Sequence, residues 1–319
     1  MSRKLLLSKN INDDLLNNIK EIIPNWEIVI SKDKEEWKKE MVDAEIIAGW
    51  RNKMVNYLPQ KENNLRWIQS WSAGVDGYPV NIFAEKQIQL TTASGVHGFP
   101  ISETIFGMML SLTRNLHRYL RNQTQKKWFH ENIHLELHKK TIGIIGMGEI
   151  GKETAKIAKA FQMHVIGVRN SNKKESNVDE MFSQASLHDV LPKCDYVVIT
   201  LPLTKETYQL FGKQELSLMK TTSFLINIAR GEIVDENALI DALRDKKIAG
   251  AGLDVFEQEP LPAKSSLWDM EEVIIAPHTA GATEHYDERL VNDVFIPNLK
   301  AYLKNGKPCK NVVNFDKGY

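Results

Sequence analysis

The sequence predicts an α/β protein of two domains, each built on a parallel sheet. Three observations carry this. Short apolar runs alternate with amphipathic helical patterns along most of the chain, which calls for strands joined by right-handed helical crossovers. The 319 residues suffice for two domains at roughly 100–200 residues each. A segment with two glycines and a proline, SGVHGFPISE, separates two such α/β series.

In the first series RKLLLS, WEIVIS, AEIIAGW and LRWIQSWS read as strands, and DDLLNNIKEII and KEEWKKEM as helices between them. From Ile101 a single helical pattern is expected to run to about Trp128. It carries Met108, Met109, Leu112, Leu116 and Leu120 on an apolar stripe. Such a stripe is ordinarily packing surface, and it leaves room for a subunit interface. The second series begins at Thr141: TIGIIGMG, MHVIGVRN, CDYVVITLP, SFLINIA, AGAGLDV and EVIIAPH. These continuous apolar runs fit strands buried on both faces. The last helical pattern, YDERLVNDVFIPNLKAYLKNG, is free to return to the first domain. The expected domains are residues 1–99 with 285–319, and residues 100–284.

The chain is 42% hydrophobic and 26% charged, an ordinary globular balance. Acids and bases number 41 each, which removes the electrostatic argument for a nucleic-acid partner. The two cysteines, Cys194 and Cys309, form no framework and suit a reducing compartment. The opening MSRKLLLSKN has too short an apolar run for a signal peptide, and no run approaches the ~20 apolar residues of a membrane span. A cytoplasmic protein with no membrane partner is the expectation.

Gly146-Met147-Gly148-Glu149-Ile150-Gly151 matches G-x-G-x-x-G, a weak signal alone. Here it follows a strand, IGII, and opens a helix, KETAKIAKAF, the context a dinucleotide loop requires. Gly146 permits the tight turn, Gly148 lets the backbone approach a pyrophosphate, and Gly151 allows close helix–strand packing at the positive helix N-terminus. The second strand ends Val168-Arg169-Asn170-Ser171, and position 169 is where an acid that grips the adenosine ribose is expected. Arg169 has donors only, so it cannot accept from ribose hydroxyls. It suits a 2′-phosphate, helped by Ser171 and by Lys173 or Lys174. NADP(H) is therefore favoured, with NAD(H) possible. The plainer alternative is a solvated surface arginine that makes no choice between cofactors.

Arg230, Glu259 and His278 stand at or just beyond apolar runs, in NIARGEIVDE, GLDVFEQEPLP and IIAPHTAG. The carboxyl ends of strands face the ligand crevice in an open α/β sheet, which puts all three near one cofactor edge. Their chemistry fits reduction of a 2-oxo acid. Arg230 holds the carboxylate in its planar fork, His278 donates the proton to the carbonyl oxygen, and Glu259 bonds the other imidazole nitrogen. Taken singly, Arg and Glu are ordinarily surface residues; the combination after a dinucleotide loop is what carries weight. His130, His134 and His138 are spaced by four, as metal ligands on a helix would be. The run IHLELHKKTIGIIG alternates like a strand instead, and no metal is expected.

These motifs, together with SAGVD, GVHGFPISE and LPLTKET, resemble the D-isomer-specific 2-hydroxyacid dehydrogenase family over almost the whole chain. The resemblance implies two Rossmann- or flavodoxin-like domains with the cofactor domain inserted in a discontinuous substrate domain, an active site in the cleft, and a homodimer formed through the long-helix region. It also implies that Arg230, Glu259 and His278 form the catalytic set. The backbone of Ala73, Gly74 and Val75 would share the substrate carboxylate with Arg230. The cofactor would be lined by the glycine loop (Gly146, Gly148, Glu149, Ile150, Gly151), Arg169 and Ser171, Leu201, Pro202 and Thr207, Ile228 and Ala229, Asp254, His278 and Ala280. Asp254 would lie near the nicotinamide amide. The departure is Arg169, where many members carry Asp and use NAD.

Trp50 follows a first-domain strand, where it resembles the aromatic of the glyoxylate/hydroxypyruvate reductases and would favour a small 2-oxo acid; packing of the domain's own edge is the other reading. Arg51 suits a second anionic group, so a larger D-2-hydroxy acid such as phosphoglycerate stays open. A dinucleotide-sensing, corepressor-like binding protein is the alternative outside enzymes.

Overall fold

The computed structural model describes residues 3–58, 64–75, 77–130, 135–171 and 173–315. It contains two compact units, Met1–Val96 with Thr283–Tyr319, and His97–Ala282. No described helix is long and apolar enough to cross a membrane.

The first unit holds five parallel strands among the described residues: β1 (Lys4–Leu7), β2 (Glu27–Ile30), β3 (Ile46–Ala48), β4 (Trp67–Gln69) and β5 (Gln89–Thr91). Their order is β2-β1-β3-β4-β5. β1 shows why both faces are apolar: Leu5 and Leu7 join Ile19, Trp67 and Phe295 in one buried cluster, and Leu6 joins Trp37, Ile47 and Phe83 in the other. The helix Asp13–Ile22 starts where Asn12 Oδ1 accepts the Leu15 N–H at 2.8 Å, with Asp13 and Asp14 in its first turn. β5 and the helix Val80–Glu85 before it escape a periodicity reading because each is shorter than two turns or three alternations. The last helical stretch belongs to this unit, where Phe295 stacks on Trp67 with centroids 5.4 Å apart. It widens to π turns over Leu290–Phe295 just before Pro297. Proline has no N–H to offer the Asp293 carbonyl, and Lys310 Nζ donates to that carbonyl at 3.0 Å instead.

The second unit has seven parallel strands among the described residues: β6 (Thr141–Ile145), β7 (His164–Val168), β8 (Glu180–Phe182), β9 (Tyr196–Ile199), β10 (Phe224–Asn227), β11 (Gly250–Leu253) and β12 (Val273–Ile275). The order β12-β11-β10-β9-β6-β7-β8 reverses between β6 and β9. Two expectations need correction. The helix from Ile101 is broken: Gly98–Thr113 and Leu116–Thr124 are separate helices, because Asn115 takes a left-handed φ of 54° that asparagine tolerates better than most residues. Met108, Met109 and Leu112 are buried, whereas Leu116 and Leu120 are exposed. The strand expected from IHLELHKK does not form in the described part; Lys140 N–H closes a turn on the Leu137 carbonyl at 3.1 Å, and β6 opens at Thr141.

Candidate active site

The glycine loop lies at the reversal point of the second sheet. Gly146 follows β6 with φ +114°, and a Cβ there would lie 2.8 Å from the Thr200 carbonyl. Thr200 Oγ1 donates to the Gly146 carbonyl at 2.6 Å, tying the turn to the end of β9. At Gly151 a Cβ would lie 2.2 Å from the Gly146 carbonyl oxygen, so the helix Glu149–Ala160 packs directly onto the turn. Gly148 differs. A Cβ there would meet nothing within 4 Å, and its φ of −80° demands no glycine. Two glycines are required by the chain itself; the third leaves open space at a helix N-terminus, where backbone N–H groups attract an anion. These residues fit a dinucleotide pyrophosphate.

Arg230, Glu259 and His278 follow β10, β11 and β12, three neighbouring strands, at their carboxyl ends. Asn227 shapes the first loop: its Nδ2 donates to the Arg230 carbonyl at 3.0 Å and its Oδ1 accepts the Ala229 N–H at 3.1 Å. A Cβ at Gly231 would lie 1.9 Å from the Phe256 carbonyl carbon, so this loop is pressed against the one after β11. Arg230 Nη1 donates to the Ala229 carbonyl at 2.7 Å.

Glu259 Oε1 accepts the Phe256 N–H at 3.1 Å, and Oε2 accepts from His278 Nδ1 at 2.7 Å. An ionised carboxylate only accepts, so Nδ1 carries the hydrogen and Nε2 is the nitrogen left for chemistry. The His278 side chain is 48% exposed, open to a substrate and to solvent protons. His278 itself has a left-handed φ of 53°, a strained conformation for a non-glycine residue. Asp254 holds it there: the Asp254 carbonyl accepts the His278 N–H at 2.8 Å, and its carboxylate accepts from Thr279 at 2.9 Å and Ala280 at 3.0 Å. Asp254 is 1% exposed.

The family model described as "D-isomer specific 2-hydroxyacid dehydrogenase, NAD binding domain" matches residues 106–280. The chain belongs to the D-isomer specific 2-hydroxyacid dehydrogenase family. A glyoxylate reductase of Thermococcus litoralis is 33% identical over 331 residues, 99% of this chain and 98% of that one. A D-3-phosphoglycerate dehydrogenase of Methanocaldococcus jannaschii is 31% identical over 98% of this chain, which spans 59% of that enzyme's length. A family member from Aeromonas salmonicida has a solved structure with a TM-score of 0.85 and 33% identity, covering 99% of this chain and 100% of that one. The protein is an NAD(P)-dependent 2-hydroxyacid dehydrogenase, an oxidoreductase with a nicotinamide dinucleotide cofactor.

Within this dehydrogenase the structure brings Glu259 and His278 together and sets Arg230 on the adjoining loop. Ile228, Ala229 and Ala280 are buried at the same strand ends. Thr207 Oγ1 is committed to its own turn: it donates to the Pro202 carbonyl and accepts the Thr204 N–H, each at 2.7 Å. Leu201 is half-buried and Pro202 exposed. Ser171, Lys173 and Lys174 are exposed, whereas Arg169 is paired through Nη1 with Glu175 Oε1. Ala73, Gly74 and Val75 follow β4, where Ser70 Oγ accepts the Ser72 N–H at 2.8 Å and shapes the turn before them. Trp50, expected at a substrate lip, is 4% exposed and stands edge-on to Phe83 at 4.9 Å in the unit's own core. The large apolar ring finds more contact there than at an edge. His138 bonds Gln162 at 3.0 Å, and His134 lies outside the described residues.

The positioning role of Asp254 was not drawn from the sequence. The available cue was an acid closing the apolar run AGAGLD: a buried carboxylate must be satisfied, and nearby backbone N–H groups do that.

Proposed function

We propose that this dehydrogenase reduces small 2-oxo acids of the glyoxylate and hydroxypyruvate type, with NADPH preferred over NADH and His278 as proton donor. The observation that carries the reading is the 2.7 Å His278–Glu259 bond. It orients the ring and keeps the hydrogen on Nδ1, so that Nε2 is the nitrogen that faces the chemistry. A bound nicotinamide supplies the hydride to the carbonyl carbon. His278 Nε2 gives its proton to the carbonyl oxygen, the product is the 2-hydroxy acid, and the exposed ring regains a proton from solvent. Arg230 and the backbone of Ala73, Gly74 and Val75 are assigned to the substrate carboxylate. Asp254 keeps the His278 loop in its left-handed turn. The glycine loop is assigned to the pyrophosphate, Arg169 with Ser171 to a 2′-phosphate. Leu116, Leu120, Trp128 and Phe129, exposed apolar side chains of the second unit, support a homodimer. The exposed thiol of Cys309 suits a reducing cytoplasm.

A second reading has its own support in the first unit. Its strand order reverses between β1 and β3, the place where an open sheet binds ligands. There a pocket of about 470 Å³ is lined by Ser8, Lys32, Lys34, Trp37, Arg51, Asn52 and Lys53, with four cations and no acid. A substrate carrying a second anionic group, phosphoryl or carboxylate, would use it.

Initial rates separate the two. Glyoxylate and hydroxypyruvate, each with NADPH and NADH, are expected to turn over with at least a tenfold preference for NADPH; no turnover of either would end the small-acid reading. With a phosphorylated 2-oxo acid, Arg51→Ala should raise KM about tenfold and leave glyoxylate kinetics unchanged if the second reading holds.

A further inference from the structure

We propose that Glu175 sets the choice between the two dinucleotides by competing with a 2′-phosphate for Arg169 and by offering an acceptor to an unphosphorylated ribose. The inference rests on the assignment of Arg169 to the adenosine end of the cofactor. Position 169 lacks the expected acid, but one six residues later is in contact with it: Glu175 Oε1 accepts from Arg169 Nη1. The two side chains are 26% and 14% exposed, so the carboxylate is the more sheltered partner.

The pair is anchored next to the glycine loop. The Gly146 N–H donates to the Val168 carbonyl at 2.9 Å, and the Arg169 N–H donates to the Phe182 carbonyl at 3.1 Å. Lys152 on the first turns of the helix Glu149–Ala160 bonds Glu149 at 2.9 Å, and its ammonium is held above its ordinary range first by that bond. The negative charge of Glu175 raises it further, while the positive charge of Arg169 opposes, so all four side chains share one local field. Lys173 and Lys174 project into solvent.

This arrangement presents a donor fork and an acceptor side by side. An unphosphorylated ribose donates hydroxyls to Glu175, and Arg169 stays paired. A 2′-phosphate needs the fork itself, must displace Glu175, and is repelled by it afterwards. The preference for NADPH is therefore smaller than Arg169 alone would produce.

The test is calorimetric titration of the full chain with NADPH, NADH, adenosine 2′,5′-bisphosphate and 5′-AMP, without substrate. Glu175→Gln should bind NADPH and the bisphosphate about tenfold tighter and NADH about threefold weaker. Thermal melting checks that it folds, and Glu175→Ala repeats the measurement if it does not. Arg169→Ala should weaken NADPH at least tenfold and leave NADH unchanged. Unchanged affinities in both Glu175 variants, beside a loss in Arg169→Ala, would overturn the role of Glu175 and keep that of Arg169. An unchanged NADPH-to-NADH ratio in Arg169→Ala would overturn the Arg169 assignment and this inference with it. In the double variant the gain from Glu175→Gln should largely vanish; an undiminished gain would mean repulsion without competition, contrary to the proposal.

Discussion

The two parallel sheets close a strand with the same device and then diverge. Gly49 follows β3 with φ +93°, and Gly146 follows β6 with φ +114°. In the first unit a Cβ would lie 2.3 Å from Ser8 Oγ, in the second 2.8 Å from the Thr200 carbonyl. What comes next separates them. After Gly146 a 12-residue helix opens at Glu149, and its first N–H groups point toward the turn. After Gly49 comes only a six-residue 3-10 stretch, Asn52–Tyr57, too short to focus backbone donors. The first unit supplies cationic side chains at that edge instead: Arg51 and Lys53, with Lys32 after β2 and Lys34 at the start of the helix Lys34–Glu40. A turn of one geometry thus leads either to backbone donors at a helix N-terminus or to a group of cationic side chains, according to the length of the helix that follows.

The largest effect that bears on this comparison lies at the end of the second sheet. His278→Ala should lower kcat by about 10²–10⁴-fold, with the NADPH dissociation constant changed less than about twofold. Single-turnover rates and binding titration check it; turnover near the wild-type rate would put the proton donor elsewhere.

Next come the glycines. Gly151→Ala should cost about 2–4 kcal/mol in denaturant melts, because its Cβ meets backbone that cannot yield. Gly148→Ala should keep wild-type stability yet bind NADPH about tenfold more weakly, since only an incoming pyrophosphate needs that space. Full affinity in Gly148→Ala would remove the close approach from the account. Gly49→Ala should cost about 1–3 kcal/mol, from its left-handed backbone, without changing dinucleotide affinity of the folded protein.

The smallest effect concerns the start of the second unit. His97 Nδ1 lies 3.0 Å from the Gly281 carbonyl, joining the residues where the chain enters and leaves that unit. Burial lowers the His97 pKa, only partly opposed by that bond. The unfolded chain then binds the proton more readily, so the contribution to stability is full above the ordinary value of about 6.5 and is lost as pH falls through it toward the lowered native value. Replacing His97 with Gln should narrow the difference in Tm between pH 7.5 and pH 5.5 by about 1–2 °C.

Local pattern was enough for most of this molecule. Apolar runs such as KLLL and TIGII are short, continuous and punctuated by turns, so the parallel sheets and the two α/β series were legible, and so was the glycine loop in its strand–helix context. Elements without a full period were not: β5, β8 and the helix Val80–Glu85 are held by neighbours rather than by their own pattern. The break at Asn115 was hidden because an apolar stripe continues through a residue whose backbone does not.

At the site, the sequence by itself determined which chemistry was present: an arginine, a glutamate and a histidine at strand ends behind a dinucleotide loop, and a cation where an acid was expected. Side-chain type is a local property and can be read residue by residue. Which partner each group takes is not local. The Glu259–His278 pair was expected from the sequence, but only the tertiary structure decided its 2.7 Å geometry, that Asp254 satisfies its buried carboxylate on the backbone of Thr279 and Ala280, and that Trp50 turns into the core. It alone set Glu175 against Arg169. Pairing depends on distances across separate segments, and these are set by the packing of whole strands and loops.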